Sequence, residues 1–434
     1  MHIHILGIAG VMTAPLAVEL QRLGYTITGT DQKNIYPPIS TLLDDAKIKI
    51  NDTPITSDIN LAIIGSSFKS FEQCRYEFEQ IKALKIPYIS ATQYLANHLI
   101  KKNSILVAGS FGKTTISALI VWILKTNNSN PNYFFGGKTI ESIPSLKITE
   151  SDWSVTEADE SINGLDTMAK FLYYPSKYVV LTSASWEHRE SYPSKEDNLN
   201  AFKKLITQIP TDGALIYNPH DSTIKKILSS CTAKIIPYNE SIRYQTPLIG
   251  EFNQQNVQAA ATLAQVLNIS PDDISRAISS FHGIKRRLEI IKKVNNTYFI
   301  DDFAQSADRI TQVITTLHTT FPHHTLKVFF EPHASFLQYK ASLNDFKSAF
   351  KEVDDIVLST LKFNSNQDKA TRVTAKDFVE IIGPKLHYQP TLTETIDYYQ
   401  HNLSDNTVLI HFSSGGLSGL NTLNQIITNY ESKV

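Results

Sequence analysis

Short apolar runs alternate along the chain with longer stretches in which apolar residues return every three or four positions. The first run, Ile3 to Gly7, leads through a glycine turn into a helical stretch from Ala14 to Leu23, and a second run spans Tyr25 to Asp31. Runs at Leu61–Ile64 and Pro87–Ile89 bracket a helix expected over Glu72–Leu84. The pattern restarts with Ser104–Ala108, a helix over Thr115–Leu124, runs at Trp153–Val155 and Tyr178–Thr182, and an alanine-rich helix over Asn256–Leu267. It restarts again with Tyr298–Ile300, Lys327–Phe330, Ile356–Leu358 and Val408–Phe412. Most of these runs are apolar at consecutive positions, which marks strands covered on both faces, as in parallel sheets flanked by helices.

The pattern predicts an α/β protein of three domains, each an open, mostly parallel sheet with flanking helices. The N-terminal one, 1–102, is expected to be Rossmann-like, the central one, 103–284, P-loop-type, and the C-terminal one, 285–434, Rossmann-like again. A chain of 434 residues is too long for one core. The first boundary falls near Lys102, before a fresh strand, and the second near Gly283; Thr126–Asn132 reads as a polar loop.

Composition narrows the partners. Hydrophobic residues at 42% and charged residues at 19% are ordinary for a globular protein. A net charge of -1 with no basic stripe gives no field for a polyanion, so nucleic acid is not an expected partner. No run approaches the ~18 apolar residues needed to span a bilayer, and Met1-His2-Ile3-His4 carries no positive leader region. The expectation is a cytoplasmic protein without a membrane partner. Cys74 and Cys231 are far apart and imply neither a disulfide framework nor a zinc site.

The strongest chemical signal is Gly109-Ser110-Phe111-Gly112-Lys113-Thr114-Thr115, between an apolar strand and a helix. Backbone N–H groups of such a loop point at phosphate oxygens, the lysine neutralises them, and the threonine hydroxyl reaches a magnesium ion. A chance G-x-x-G-K-[ST] in a chain of this length has a probability on the order of one in a hundred. The strict P-loop spacing would place a further glycine where Val107 stands, which argues for a variant class. Thr156-Glu157-Ala158-Asp159-Glu160 follows another strand, and carboxylates at a strand's C-terminal end suit magnesium beside phosphates. His188 also falls after a strand. Gly7, Gly10 and Asp31 form only part of a dinucleotide fingerprint; a ligand grip and a fold-forming turn are equally compatible with them.

Taken in order, the glycine loop, Glu157-Ala158-Asp159-Glu160, His188, Gly250-Glu251-Phe252-Asn253-Gln254-Gln255-Asn256 and Lys285-Arg286-Arg287-Leu288-Glu289 resemble the motifs of the Mur ligases along essentially the whole chain. The resemblance implies an ATP- and Mg2+-dependent ligase that joins a murein peptide, or L-alanine, to the carboxylate of UDP-N-acetylmuramate through an acyl phosphate. Tyr36 to Leu43 and Ser413-Ser414-Gly415-Gly416 look most like the peptide-adding branch. By this resemblance Lys113, His188 and Arg287 are catalytic, and Thr114, Glu157 and His188 hold metal. ATP would lie against residues 109–115, Asn253, Asn256 and Arg287. Gly7, Gly10, Asp31, Ser66, Ser67, His333, Ser413 and Ser414 would meet UDP-N-acetylmuramate or the acceptor. A monomer or weak homodimer is expected.

The pattern departs from the family at four places. Phe111 and Phe252 replace histidines, and Gln305-Ser306 stands where two histidines are expected. No arginine follows Pro332, where relatives would use one on an acceptor carboxylate. A phenyl ring keeps stacking and loses hydrogen bonds. Phe202 occupies the place of a lysine that some relatives carbamylate, so that modification is not expected, and Lys203 and Lys204 read as a solvated helix face. These losses motivate a second reading, a catalytically weak Mur-like nucleotide-binding protein with a regulatory role.

Overall fold

A computed structural model describes residues 1–35, 37–186, 191–332, 343–361, 372–413 and 417–433. It contains three open sheets. The first joins β1 (His2–Leu6), β2 (Thr26–Thr30), β3 (Lys49–Ile50), β4 (Leu61–Ile64) and β5 (Tyr88–Ser90) in the order β3-β2-β1-β4-β5, parallel throughout. The second contains β6 (Asn103–Ala108), β7 (Asn132–Phe134), β8 (Leu146–Lys147), β9 (Trp153–Glu157), β10 (Tyr178–Leu181), β11 (Ala214–Tyr217) and β12 (Lys234–Pro237). Its order is β12-β11-β10-β6-β9-β7-β8, with only the β7–β8 pair antiparallel. The third holds β13 (Glu289–Val294), β14 (Thr297–Asp302), β15 (Thr325–Glu331), β16 (Asp355–Leu358), β17 (Leu386–Tyr388) and β18 (Thr407–Ser413), ordered β13-β14-β18-β15-β16-β17. Here β13 alone runs antiparallel to its neighbour. The three mostly parallel α/β sheets are those expected from the hydrophobic pattern.

Several elements escaped that pattern for physical reasons. Strand β12 is an edge strand with largely exposed Lys234-Ile235-Ile236-Pro237, and β13, Glu289-Ile290-Ile291-Lys292-Lys293-Val294, is also an edge; neither is a continuous apolar run. The helix expected from Asn256 begins at Glu251, because its opening turns are polar.

Residues 1–248 and 252–284 form one compact unit that contains the first two sheets. They share a buried cluster in which Ile3, Leu16 and Leu20 join Leu106, Phe171 and Leu181. The buried Glu19, on the helix Thr13–Arg22, accepts the Ile148 N–H at 2.7 Å and pairs with Arg22 at 2.6 Å. Phe202 is fully buried against Phe171, and Lys203 and Lys204 are exposed. The other compact unit is 249–251 with 285–434. Its sheet is covered on both faces: Ile300, Val328, Phe330 and Ile410 pack on one side, and Phe299, Phe329 and Leu409 on the other. Neighbouring residues of a strand point to opposite faces, so two apolar faces need consecutive apolar residues. Among the described residues no helix is long and apolar enough to cross a membrane.

Candidate functional site

The glycine loop leaves the C-terminal end of β6 and enters the helix Lys113–Thr126. Gly109 has φ +115°, and a Cβ there would lie 2.3 Å from Thr182 Oγ1 and 2.6 Å from the Ser183 amide. Gly112 has φ +78°, and a Cβ there would lie 2.3 Å from Asn256 Oδ1. Both positions therefore require glycine, for conformation and for space. The loop is fastened from outside: Ser110 N–H donates to Ser183 Oγ at 2.8 Å, and Thr182 Oγ1 donates to the Phe111 carbonyl at 2.6 Å. Asn256 donates to Asn253 Oδ1 at 3.0 Å, and both are buried. Phe111 and Phe252 are 38% and 40% exposed, unusual for phenyl groups and consistent with rings held open for stacking.

Lys113 Nζ lies 2.6 Å from the Gly109 carbonyl and 3.4 Å from Glu160 Oε2. Thr114 Oγ1 donates to Glu157 Oε2 at 2.8 Å, and Gly136 N–H donates to the same oxygen at 2.7 Å. Thr115 is buried in the helix's first turn. The loop, Lys113, Thr114, Glu157, Asn253 and Asn256 are thus brought together at the C-terminal ends of β6 and β9, where an open parallel sheet binds ligands. Among the described residues no three histidine, cysteine or acidic side chains form a metal cluster. Magnesium does not need one, since it keeps waters and phosphate oxygens and takes one or two protein oxygens. The adjacent Thr114 hydroxyl and Glu157 carboxylate fit that habit. His188, His333 and Ser414 lie outside the described residues.

In the first sheet, Gly7 follows β1 at φ +71°, and Ser67, after β4, has its Oγ 3.2 Å from where a Gly7 Cβ would stand. These loops flank the switch point between β1 and β4. Asp31 accepts the Ala9 N–H and the Gln32 N–H, each at 2.7 Å, so it locks the turn holding Gly7 and Gly10. Burial raises the Asp31 carboxyl above its ordinary range, against the lowering effect of those two bonds. Ser66 is exposed. Its carbonyl approaches Gly164, whose Cβ would come within 2.7 Å of it, while Gly136 faces Glu157 and Val11. The turn after β1 therefore reaches the neighbourhood of Glu157 within the same unit.

The other unit holds a cluster that the sequence reading missed. His411, in the C-terminal half of β18 and fully buried, places Nδ1 2.7 Å from Asp301 Oδ1 and Nε2 3.0 Å from Glu331 Oε2. Asp301 Oδ2 accepts Arg286 Nε at 2.8 Å, and Arg286 Nη2 donates to the carbonyl of the buried Ser413 at 2.5 Å. Burial would lower the His411 pKa, but bonding to Asp301 and Glu331 outweighs it and raises the value. Burial would raise Asp301; His411 and Arg286 outweigh it and hold the carboxyl low. Asp302 is pushed up to about 6 by burial, against N–H bonds from Leu288 and Ala304. Gly419 allows the helix Leu417–Glu431 to approach, since a Cβ there would lie 1.7 Å from Glu331 Oε2 and 2.6 Å from His411 Nε2. Arg287 is exposed, and Gln305 is buried. In the sequence, Arg286 stands within the Lys285–Glu289 motif, and His411 shows only as one histidine inside the run Val408–Phe412.

Residues 107–241 match the family profile of the Mur ligase middle domain, and 286–415 match that of the Mur ligase, glutamate ligase domain. Together they span more than half of the chain, which belongs to the Mur ligase family of ATP-dependent, amide-forming ligases. The UDP-N-acetylmuramate–L-alanine ligase of Agathobacter rectalis is 26% identical to it over 96% of each chain. The UDP-N-acetylmuramate–L-alanyl-γ-D-glutamyl-meso-2,6-diaminoheptandioate ligase of Escherichia coli is 28% identical over 73% of this chain and 75% of its own. The same fold occurs in the UDP-N-acetylmuramate-alanine ligase of Thermotoga maritima, with TM-score 0.76 at 19% identity over 100% of both chains. A murein peptide ligase of Psychrobacter arcticus has TM-score 0.66 at 21% identity, over 100% of this chain and 99% of its own.

Proposed function

We propose that the protein uses ATP to join a murein peptide to the carboxylate of UDP-N-acetylmuramate, in the synthesis or recycling of peptidoglycan. The observation that carries this reading is the pairing of Thr114 with Glu157 beside Lys113 at the mouth of a loop that only glycines can form. Residues 1–102 bind the uridine nucleotide through Gly7, Gly10, Asp31, Ser66 and Ser67. Residues 103–284 bind ATP, and 285–434 bind the acceptor, with His333, Ser413 and Ser414 as contacts. The resemblance of Tyr36–Leu43 and Ser413–Gly416 to the peptide-adding branch favours a peptide acceptor over L-alanine. The protein works in the cytoplasm as a monomer or weak homodimer.

A substrate carboxylate oxygen attacks the γ-phosphorus and ADP leaves, giving an acyl phosphate. The amine nitrogen then attacks the acyl carbon, phosphate leaves, and the nitrogen loses a proton to give the amide. Lys113 and the loop N–H groups neutralise the migrating phosphoryl charge, and Arg287 approaches it in the working enzyme. Magnesium, when bound through Thr114, Glu157 and His188, supplies further charge neutralisation at the phosphate oxygens. Phe111 and Phe252 stack on the nucleotide in place of hydrogen-bonding histidines.

ADP release measured with UDP-N-acetylmuramate fixed and the acceptor varied tests this. A murein tripeptide is expected to give the fastest turnover. Fastest turnover with L-alanine replaces the peptide reading with the alanine one. Tight nucleotide-sugar binding with no turnover on alanine, dipeptide, tripeptide or tetrapeptide removes both, in favour of a binding protein.

A further inference from the structure

We infer that His411 is a positioning residue: an imidazolium bridging Asp301 and Glu331 that, through Asp301 and Arg286, fixes the loop from which Arg287 works. The inference rests on the role proposed above for Arg287. An ionised carboxylate only accepts hydrogen bonds, and a neutral imidazole has a single N–H. With both ring nitrogens within 3.0 Å of carboxylate oxygens, the arrangement is satisfied by the doubly protonated ring. Among the described residues, each element packed on the ring fits a cation. Strand β14 offers Asp301, β15 offers Glu331 and the Phe329 ring at 4.5 Å, and the helix Leu417–Glu431 approaches through the uncharged Gly419. With Arg286 on the second Asp301 oxygen, Arg286, Asp301, His411 and Glu331 alternate in sign along a buried row across β14, β18 and β15.

This row ends at a loop that needs holding. Arg286 and Leu288, on either side of Arg287, have φ +61° and +49°, left-handed values that non-glycine residues adopt at a cost. Arg286 is held by Asp301, by the Ser413 carbonyl and by the Phe303 ring 5.0 Å from its guanidinium carbon. Its carbonyl accepts the Phe303 N–H at 2.9 Å, and Leu288 N–H donates to Asp302 at 2.7 Å. Arg287 itself is exposed between these anchors. Without the imidazolium, the buried Asp301 keeps Arg286 as its one charged hydrogen-bond partner among the described residues.

Three measurements on the full chain test this. In protein labelled with 15N-histidine, both His411 ring nitrogens are expected to remain protonated at about pH 8. In His411→Phe, kcat is expected to fall at least about tenfold while KM for ATP stays within about twofold. The Leu288 and Phe303 amides are expected to exchange about tenfold faster in that variant. Glu331→Gln keeps the shape and an acceptor, so it serves where His411→Phe does not fold; it should lower the pH at which kcat declines by about one unit. A singly protonated ring at about pH 7, or unchanged amide exchange in a folded His411→Phe, overturns the inference. So does an unmoved pH profile in Glu331→Gln. Absence of turnover with every acceptor removes the ligase reading instead, and the ring spectrum and amide exchange still decide this one.

Discussion

The loop after β6 and the charged row across β14, β18 and β15 both sit at C-terminal strand ends, yet they are built in opposite ways. The loop is contiguous, offers backbone N–H groups and a lysine, and is shaped by Gly109 and Gly112. The row draws Arg286, Asp301, Glu331 and His411 from distant segments and buries its charges almost completely. A site built to receive a charged ligand leaves charge to be matched by that ligand. A site that matches its own charges serves as scaffold, and its failure should show in folding as well as in rate.

The largest expected contrast is in activity. Lys113→Ala should cut ADP release about a thousandfold or more while barely changing urea stability, because under the proposed function the lost charge acts on the transferred phosphoryl group. Asp301→Ala should do the reverse in kind, costing about 3–5 kcal/mol in urea unfolding by leaving buried cations without their anion. Equal stability loss in the two variants would erase the distinction between receiving loop and scaffold row.

Asp302 sharpens it through pH. Its carboxyl is raised from 3.8 to about 6 in the folded protein, so it favours folding below pH 3.8 and that contribution is lost as pH rises through about 6. Stability of Asp302→Asn relative to the parent should therefore climb by roughly 2–3 kcal/mol across that window and stay level above it. A flat difference would mean that Asp302 does not titrate there. Gly112→Ala should weaken ADP binding about tenfold by calorimetry, since the new methyl meets Asn256 and the left-handed φ is strained. Smallest of all, Phe111→Ala should raise KM for ATP by less than about threefold, the loss of one partly exposed stacking ring.

The fold was legible because strands covered on two faces need consecutive apolar residues, as Lys327–Phe330 and Val408–Phe412 supply. Edge strands β12 and β13 were not, since solvent on one side removes that need. The strand, glycine loop and helix from Ser104 to Leu124 could be read because they are contiguous and the loop's shape rests on Gly109 and Gly112. The turn-locking part of Asp31 was not legible, because only the folded backbone shows Ala9 and Gln32 donating to it, and those two bonds leave its proposed contact with the nucleotide open. His411 was passed over as one polar letter in an apolar run; its two partners lie 110 and 80 residues away.

Gly419 shows what such a row does to the order in which positions can change. Any side chain at 419 collides with Glu331 and with the His411 ring, so a substitution there is open only after the bridge has gone. Conversely, a histidine can enter position 411 only in a background that already has glycine at 419. The two sites therefore constrain each other in both directions, although neither stands in the glycine loop after β6.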